Sequence, residues 1–437
     1  MMDNKNIVII GGGSAGTACA FHLRKLNKDF EIEIIEKSNH LHYSSCALPY
    51  ALSKEFSGPE DLYIFKTEDY SENNIKINLN TKVESIDRKA RKIKLVSGEY
   101  IDYDILVITT GSNPVCPKNF AEDEILNFHS LDDLILLKEK LQKTKKITII
   151  GAGFIGAELA GELIELGKEV ILLEIKSHIL PELLDEKSAS LISEYLISKG
   201  VVIKTGVNIE ELREDKLILE NGEIKTDLII NATGFRPDVD IAQKAGLNIE
   251  KGIVVDEYLR TSDENIFSAG DVAEFFNNFS NQSEVTGLGS VAVRQAKIIA
   301  ENINGGQEVF SSALNSFISK IGDLFVGGVG FNKDQAFKMG VDCLKADFQS
   351  SVLADYYSDK EKVFYQLIAD KKGLLKGGRI ISTTNIAGRI NTLSLALEKG
   401  LKISELAKTE TCYNPAAAPI FDPQTITAEI LCKKLGL

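Results

Sequence analysis

The chain has 437 residues with a formal net charge of −13, 44% hydrophobic and 26% charged residues. That length calls for two or three domains, the acidity excludes nucleic acid or an anionic membrane as the main partner, and the composition is that of a soluble globular protein. No apolar run approaches the roughly 18 residues of a membrane span and no signal-peptide pattern precedes the first strand, so a cytoplasmic protein is expected. The six cysteines are dispersed, with neither CxxC nor metal-ligand spacing, so no metal site is expected.

Asn6-Ile7-Val8-Ile9-Ile10 is a β-branched run of the kind buried in a parallel sheet. Gly11-Gly12-Gly13-Ser14-Ala15-Gly16 follows at once, then a helical period from Thr17 to Leu26, then Glu31-Ile32-Glu33-Ile34-Ile35-Glu36, a strand ending in an acid. Strand, glycine loop, helix, strand and terminal acid together form a dinucleotide-binding fingerprint. The glycines admit a diphosphate to a helix N-terminus, and Glu36 accepts the ribose hydroxyls of an adenosine.

Ser44-Ser45-Cys46-Ala47-Leu48-Pro49-Tyr50 comes next, with one cysteine and no second cysteine near it. Two serines able to cap and a proline suited to a first helical turn place Cys46 at a helix N-terminus, where a thiolate is favoured. A small buried hydrophobe is the other reading of such a cysteine. Farther on, Asp102 to Ile108 returns to a buried strand that ends at Thr109-Thr110-Gly111-Ser112.

The fingerprint then repeats. Lys146-Ile147-Thr148-Ile149-Ile150 leads into Gly151-Ala152-Gly153-Phe154-Ile155-Gly156, a helix carrying Glu158, and Val170 to Glu174, again closing on an acid. Two such units imply two dinucleotides, most naturally a flavin reduced by a nicotinamide. Glu174 favours a free 2′-hydroxyl, hence NADH, with NADPH possible because Lys176 and His178 stand nearby. Asp227 to Pro237, with Thr233-Gly234-Phe235-Arg236, is the counterpart of the strand ending at Gly111, and Asn265 to Asp271 is another strand with an acid at its tip.

These motifs, with Ala269-Gly270-Asp271 followed by Gly287-Leu288-Gly289-Ser290 to Gln295, resemble the FAD- and NAD(P)H-dependent pyridine nucleotide-disulfide oxidoreductases. Cys-Ala-Leu-Pro-Tyr resembles their single-cysteine coenzyme A disulfide reductase and persulfide reductase branch; NADH oxidases and peroxidases are relatives. The resemblance implies an α/β fold of two Rossmann-like dinucleotide-binding domains, for FAD and NAD, plus a C-terminal α+β dimerisation domain. The expected boundaries are 1–115 and 246–309 for FAD, 116–245 for NAD and 310–437 for dimerisation, in a homodimer.

By this resemblance Gly11, Gly13, Ser14, Ala15, Gly16, Glu36 and Lys37 contact FAD, together with Ser45, Val83, Thr110, Gly111, Asp271, Leu288 and Gly289. Gly151, Gly153, Ile155, Gly156, Glu158, Glu174 and Gly234 belong to the nicotinamide nucleotide. Phe154 either covers the flavin until nicotinamide displaces it or packs its helix.

The resemblance makes Cys46 the redox thiol and assigns Tyr357 to the same chemistry; His22, Arg24, Lys25 and His42 are substrate-side candidates, His42 also readable as structural. Ser14 stands where the oxidases and peroxidases carry a histidine, which argues against oxygen or peroxide as acceptor. Ala417 replaces an expected aromatic ring and Asn73 an expected lysine, so the acceptor is read as a small disulfide or persulfide, coenzyme A being one candidate. An NADH oxidase or peroxidase, or a low-turnover flavin redox sensor, is the alternative.

Overall fold

The computed structural model describes residues 5–53, 56–117, 120, 124–213, 216–353, 356–357 and 361–437. The chain divides into two compact units, one of residues 1–115, 129–136 and 234–313, the other of residues 116–128, 137–233 and 314–437.

The first unit is built on a parallel sheet in the order Ile266–Ser268, Ile105–Ile108, Asn6–Ile10, Glu31–Ile35, Ile75–Asn78. Its strands Asn6–Ile10 and Ile105–Ile108 are apolar on both faces because both are covered. Ile7, Ile9 and Ile34 enter one core with the Ser14–Leu26 and Gly289–Ile303 helices, while Val8, Ile10 and Ile35 enter another with Ile86, Ile93, Ala242 and Leu247. The strand order reverses direction on either side of Asn6–Ile10, so a crevice opens beyond its carboxyl end.

The second core also corrects a boundary. Ala242 and Leu247 are buried against the first unit's sheet, and Phe235–Pro237 pairs antiparallel with Ser112–Pro114. Residues 234–245 therefore belong with the first unit and not, as expected, with the second fingerprint.

The second unit repeats the plan in Val202–Thr205, Glu169–Glu174, Lys146–Ile150, Leu228–Asn231 and Leu126–Asn127, again parallel. It also contains an antiparallel sheet in the order Phe317–Ile321, Leu324–Gly330, Leu375–Ser382, Lys362–Asp370, Cys343–Ser351. The helix Phe154–Glu165 meets this sheet closely: a Cβ on Gly161 would stand 2.7 Å from the Gly322 nitrogen. A buried arginine fixes the same region. Arg379 donates to the carbonyls of Leu183, Val329, Gly378 and Gly330, and burial lowers its pKa to about 10.

Candidate functional site

Four strand ends build the site of the first unit. Gly11 follows Ile10, Glu36 follows Ile35, Thr109 follows Ile108 and Ala269-Gly270-Asp271 follows Ser268, and these four strands are neighbours in one parallel sheet. Gly11 has φ +103°, and a Cβ there would lie 2.2 Å from the Thr109 carbonyl oxygen; a Cβ on Gly16 would lie 1.9 Å from that of Gly11. Both glycines are required by the turn itself.

Gly13 is different. Its φ of −75° suits any residue, and a Cβ would meet nothing within 4 Å. The open space lies at the start of the Ser14–Leu26 helix, whose N-terminus carries no side-chain cap. An uncapped helix end beside an open glycine cradle is what a diphosphate requires.

The acid closes over this loop. Glu36 accepts the Gly12 N–H at Oε2 and the Ser38 N–H at Oε1, both at 2.7 Å, which holds its carboxylate at the strand end with lone pairs to spare for hydroxyl donors. Lys37 pairs with Asp238 at 3.1 Å, and the Thr110 hydroxyl donates to the Asp238 carbonyl, so both assigned residues also tie this rim together. Gly111 has φ +70° and accepts the Asp238 N–H.

Asp271 fits the group the resemblance implies. Burial raises its carboxyl pKa, opposed by the 3.2 Å hydrogen bond from the Ser112 hydroxyl. The Ser112 hydroxyl and the residue's own backbone N–H leave lone pairs of this largely desolvated carboxylate free, and a polyol hydroxyl is a suitable donor for them. Leu288 caps, and Gly289 begins, the helix Gly289–Ile303, again without a side-chain cap. Val83, by contrast, begins the strand Val83–Asp87 and is buried in its core, where packing accounts for it.

Cys46 lies on a single 3-10 turn, Ser45–Ala47, and is exposed. The expected helix N-terminus is absent: Ser44 makes no capping hydrogen bond, and Pro49 precedes a second 3-10 turn, Tyr50–Leu52. Three residues carry no useful helix dipole, so the expected dipole support for a thiolate is not there. What precedes the turn is tied down by backbone hydrogen bonds. Ile64 N donates to His42 O, Ser44 N to Leu62 O, and Tyr43 bridges Tyr63. Among the other cysteines, burial pushes Cys19 up to about 12 and Cys343 up to about 11, which leaves both as inert thiols.

The substrate-side candidates separate. Arg24 is turned inward, 4% exposed, and donates to the carbonyls of Asn27, Lys28, Phe30, Asn73 and Asn74. It fastens the end of its helix and offers nothing to a phosphate, which corrects its expected role. His22 pairs with Glu301 at 3.0 Å, and Lys25 is exposed. His42 places Nε2 3.1 Å from Ser14 Oγ, and burial lowers its pKa.

In the second unit the same geometry recurs. Gly151 has φ +98°, and a Cβ on Gly156 would lie 1.9 Å from its carbonyl oxygen, while Gly153 faces open space. Glu174 accepts Ala152 N–H at Oε2 and Lys176 N–H at Oε1, each at 2.9 Å. Phe154 stands edge-on to Phe317 with centroids 5.1 Å apart, and Glu158 accepts the Ser319 hydroxyl at 2.6 Å. Ile155 is half-buried in the first turn of the helix. Gly234, φ +115°, falls in the first unit, its carbonyl accepting Val115 N–H.

Tyr357 is half-buried, its ring 5.4 Å from Tyr356; Ala354 and Asp355 before them lie outside the described residues. Sequence reasoning missed Ser112, Asp238 and Ser319, partners of assigned residues from distant segments; a pattern of strand and loop gives no signal for them.

Two glycine loops closed by strand-end acids, a half-buried Asp271 at a third strand end, and an exposed cysteine are the features of an oxidoreductase of the flavin and nicotinamide class. The chain belongs to the pyridine nucleotide-disulphide oxidoreductase family, whose description matches residues 5–296, with the family's dimerisation domain at 318–423. The family uses FAD and NAD(P)H.

An NADH oxidase of Methanocaldococcus jannaschii is 32% identical over 98% of this chain and 99% of its own. An NAD(P)H coenzyme A polysulfide/persulfide reductase of Pyrococcus horikoshii is 27% identical over 98% of both. The solved NAD-dependent persulfide reductase of A. fulgidus superposes with a TM-score of 0.94 at 30% identity, covering 99% of this chain and 84% of that one. Among the described residues no helix is long and apolar enough to cross a membrane, and no group of three or more ligand-type side chains could hold a metal ion.

Proposed function

We propose that the protein is an NADH-dependent reductase of a small disulfide, persulfide or polysulfide, working through Cys46 as its one redox thiol. The observation that carries this reading is the exposed Cys46 on a turn anchored by its flanking backbone, in the unit that also holds the first glycine loop.

Bound FAD supplies a two-electron carrier between a nicotinamide and a sulfur. Gly13, Glu36 and Asp271 would hold it by diphosphate, ribose and polyol. Gly153 and Glu174 would hold NADH, and Glu174, with both oxygens aligned by backbone N–H groups, disfavours a 2′-phosphate.

The Cys46 thiolate attacks one sulfur of the acceptor R–S–S–R′, the S–S bond breaks, R′S− leaves and Cys46–S–S–R remains for reduction. Tyr357 is assigned as a phenol acting on that exchange, in a homodimer assembled through residues 318–423. The test is anaerobic: NADH oxidation with coenzyme A disulfide, a persulfide or a polysulfide should release thiol or sulfide in proportion.

A second reading, NADH oxidase, is favoured by the name of the 32% identical relative and by the His42 imidazole at Ser14, the position where oxidases carry a histidine. NADH-driven oxygen consumption without any disulfide, at the rate of the sulfur reaction, selects it instead.

A further inference from the structure

The helix Phe154–Glu165, which begins at the second glycine loop, runs along the strand Phe317–Ile321 of the antiparallel sheet and meets it at three levels. Phe154 stands against Phe317, and the Ser319 hydroxyl donates to Glu158 Oε1 at 2.6 Å. At the third level Gly161 comes so close to the turn after the strand that a Cβ on it would lie 2.7 Å from the Gly322 nitrogen. Positions 154, 158 and 161 follow one another by four and three residues and so share one helix face. Positions 317, 319 and 321 alternate along the strand, share one sheet face, and are all buried.

Two exceptions to an apolar contact meet in the middle of it. Ser319, 5% exposed, is a hydroxyl between Phe317 and Ile321, and Glu158, 9% exposed, is an acid between Phe154 and Gly161. An acid taken out of water is costly unless hydrogen-bonded, whereas packing alone would be served by two apolar side chains at these positions. A second tie acts on the same glycine loop. Leu180 N–H donates to the Ala152 carbonyl, and the sheet-side residues Arg379 and Gln335 donate to the Leu183 and Glu182 carbonyls just beyond. The turn at Gly322 engages the next helix, Glu186–Ser198, as well: Asp323 N–H donates to Tyr195 Oη at 2.7 Å, and Lys199 pairs with Asp323 at 3.0 Å.

We infer that Ser319 is a positioning residue for NADH: by holding Glu158 it orients the helix whose first turn receives the diphosphate, so the antiparallel sheet serves the nucleotide site as well as the dimerisation domain. This rests on the reading of the second glycine loop as the NADH cradle. Glu158 lies one turn, about 6 Å along the axis, from Phe154. Apolar packing of Phe154 and the close approach of Gly161 set how near the helix stands to the sheet. Neither is strongly directional. The Ser319–Glu158 hydrogen bond is directional and fixes the rotation of the helix about its own axis. That rotation aims the N–H groups of the first turn, the donors a diphosphate requires.

The test is the dissociation constant for NAD+, which binds without reducing the flavin, measured by titration calorimetry on the FAD-loaded parent, Ser319→Ala, Ser319→Thr and Gly161→Ala. Flavin absorbance and urea unfolding verify that each variant is loaded and folded. Ser319→Ala is expected to bind NAD+ about fivefold more weakly, with the same factor in KM for NADH, and Ser319→Thr, which keeps the hydroxyl, to return to the parent value. Gly161→Ala, which pushes the same helix off the sheet, is expected to weaken NAD+ as well. Parent affinity in Ser319→Ala would overturn the inference, and so would equal losses in Ser319→Ala and Ser319→Thr, or parent affinity in Gly161→Ala. A parent that binds no NAD+ would overturn the NADH reading and this inference with it, whereas tight binding shared by parent and Ser319→Ala overturns the inference alone.

Discussion

Gly156 lies so close beneath Gly151 that a Cβ on the one would stand 1.9 Å from the carbonyl oxygen of the other. A Cβ on Gly153, two residues after Gly151, would meet nothing within 4 Å. Gly156→Ala is therefore expected to cost the second unit stability, by roughly 2 kcal/mol or more in urea unfolding. Gly153→Ala is expected to leave unfolding unchanged and to raise KM for NADH. Equal loss of stability in both variants would mean that the Gly153 cradle belongs to packing and not to a ligand.

Glu174 holds two loop N–H groups, and in the proposed function it meets the adenosine ribose. Glu174→Ala removes charge-assisted hydrogen bonds of about 1.5–3 kcal/mol. KM for NADH should rise about tenfold or more, while KM for NADPH falls or stays. Steady-state kinetics with both nucleotides check this. An unchanged preference would place discrimination elsewhere, on Lys176 or His178.

Asp271 has its carboxyl pKa raised by burial. A folded-state carboxyl above its unfolded value contributes stability below the unfolded pKa and loses it as pH rises through the folded one. At neutral pH the charge therefore works against the ligand-free fold. Asp271→Asn should raise the urea midpoint of the apoprotein and weaken FAD retention about tenfold through loss of a charged acceptor. Flavin released on dialysis measures the second effect, and a variant that keeps FAD as tightly as the parent would remove Asp271 from the site.

Arg24→Met should strand five carbonyls beside an apolar side chain, lowering stability by about 3 kcal/mol. KM for a phosphorylated substrate should not change, whereas a phosphate contact would give the opposite pattern.

Both repeats of strand, glycine loop, helix and acid are legible in the sequence because local spacing alone dictates them: Gly11 with Glu36, and Gly151 with Glu174, stand where expected. Arg24 escapes such a reading because basic residues on helices are usually solvated, and the five carbonyls that turn it inward come from two separate turns. The helix expected at Cys46 fails because Pro49 begins a second short turn instead of extending the first. Residues 234–245 follow the second fingerprint in sequence yet close the first unit's core through Ala242, a long-range fact invisible to local pattern. The Ser14–His42 contact is of the same kind.

The most direct measurement compares the parent with Cys46→Ser during anaerobic NADH oxidation with a disulfide or persulfide, counting thiol or sulfide formed. The account predicts stoichiometric product from the parent, and from the variant none, despite retained FAD and NADH binding. Product from the serine variant at the parent rate would contradict the central role of Cys46.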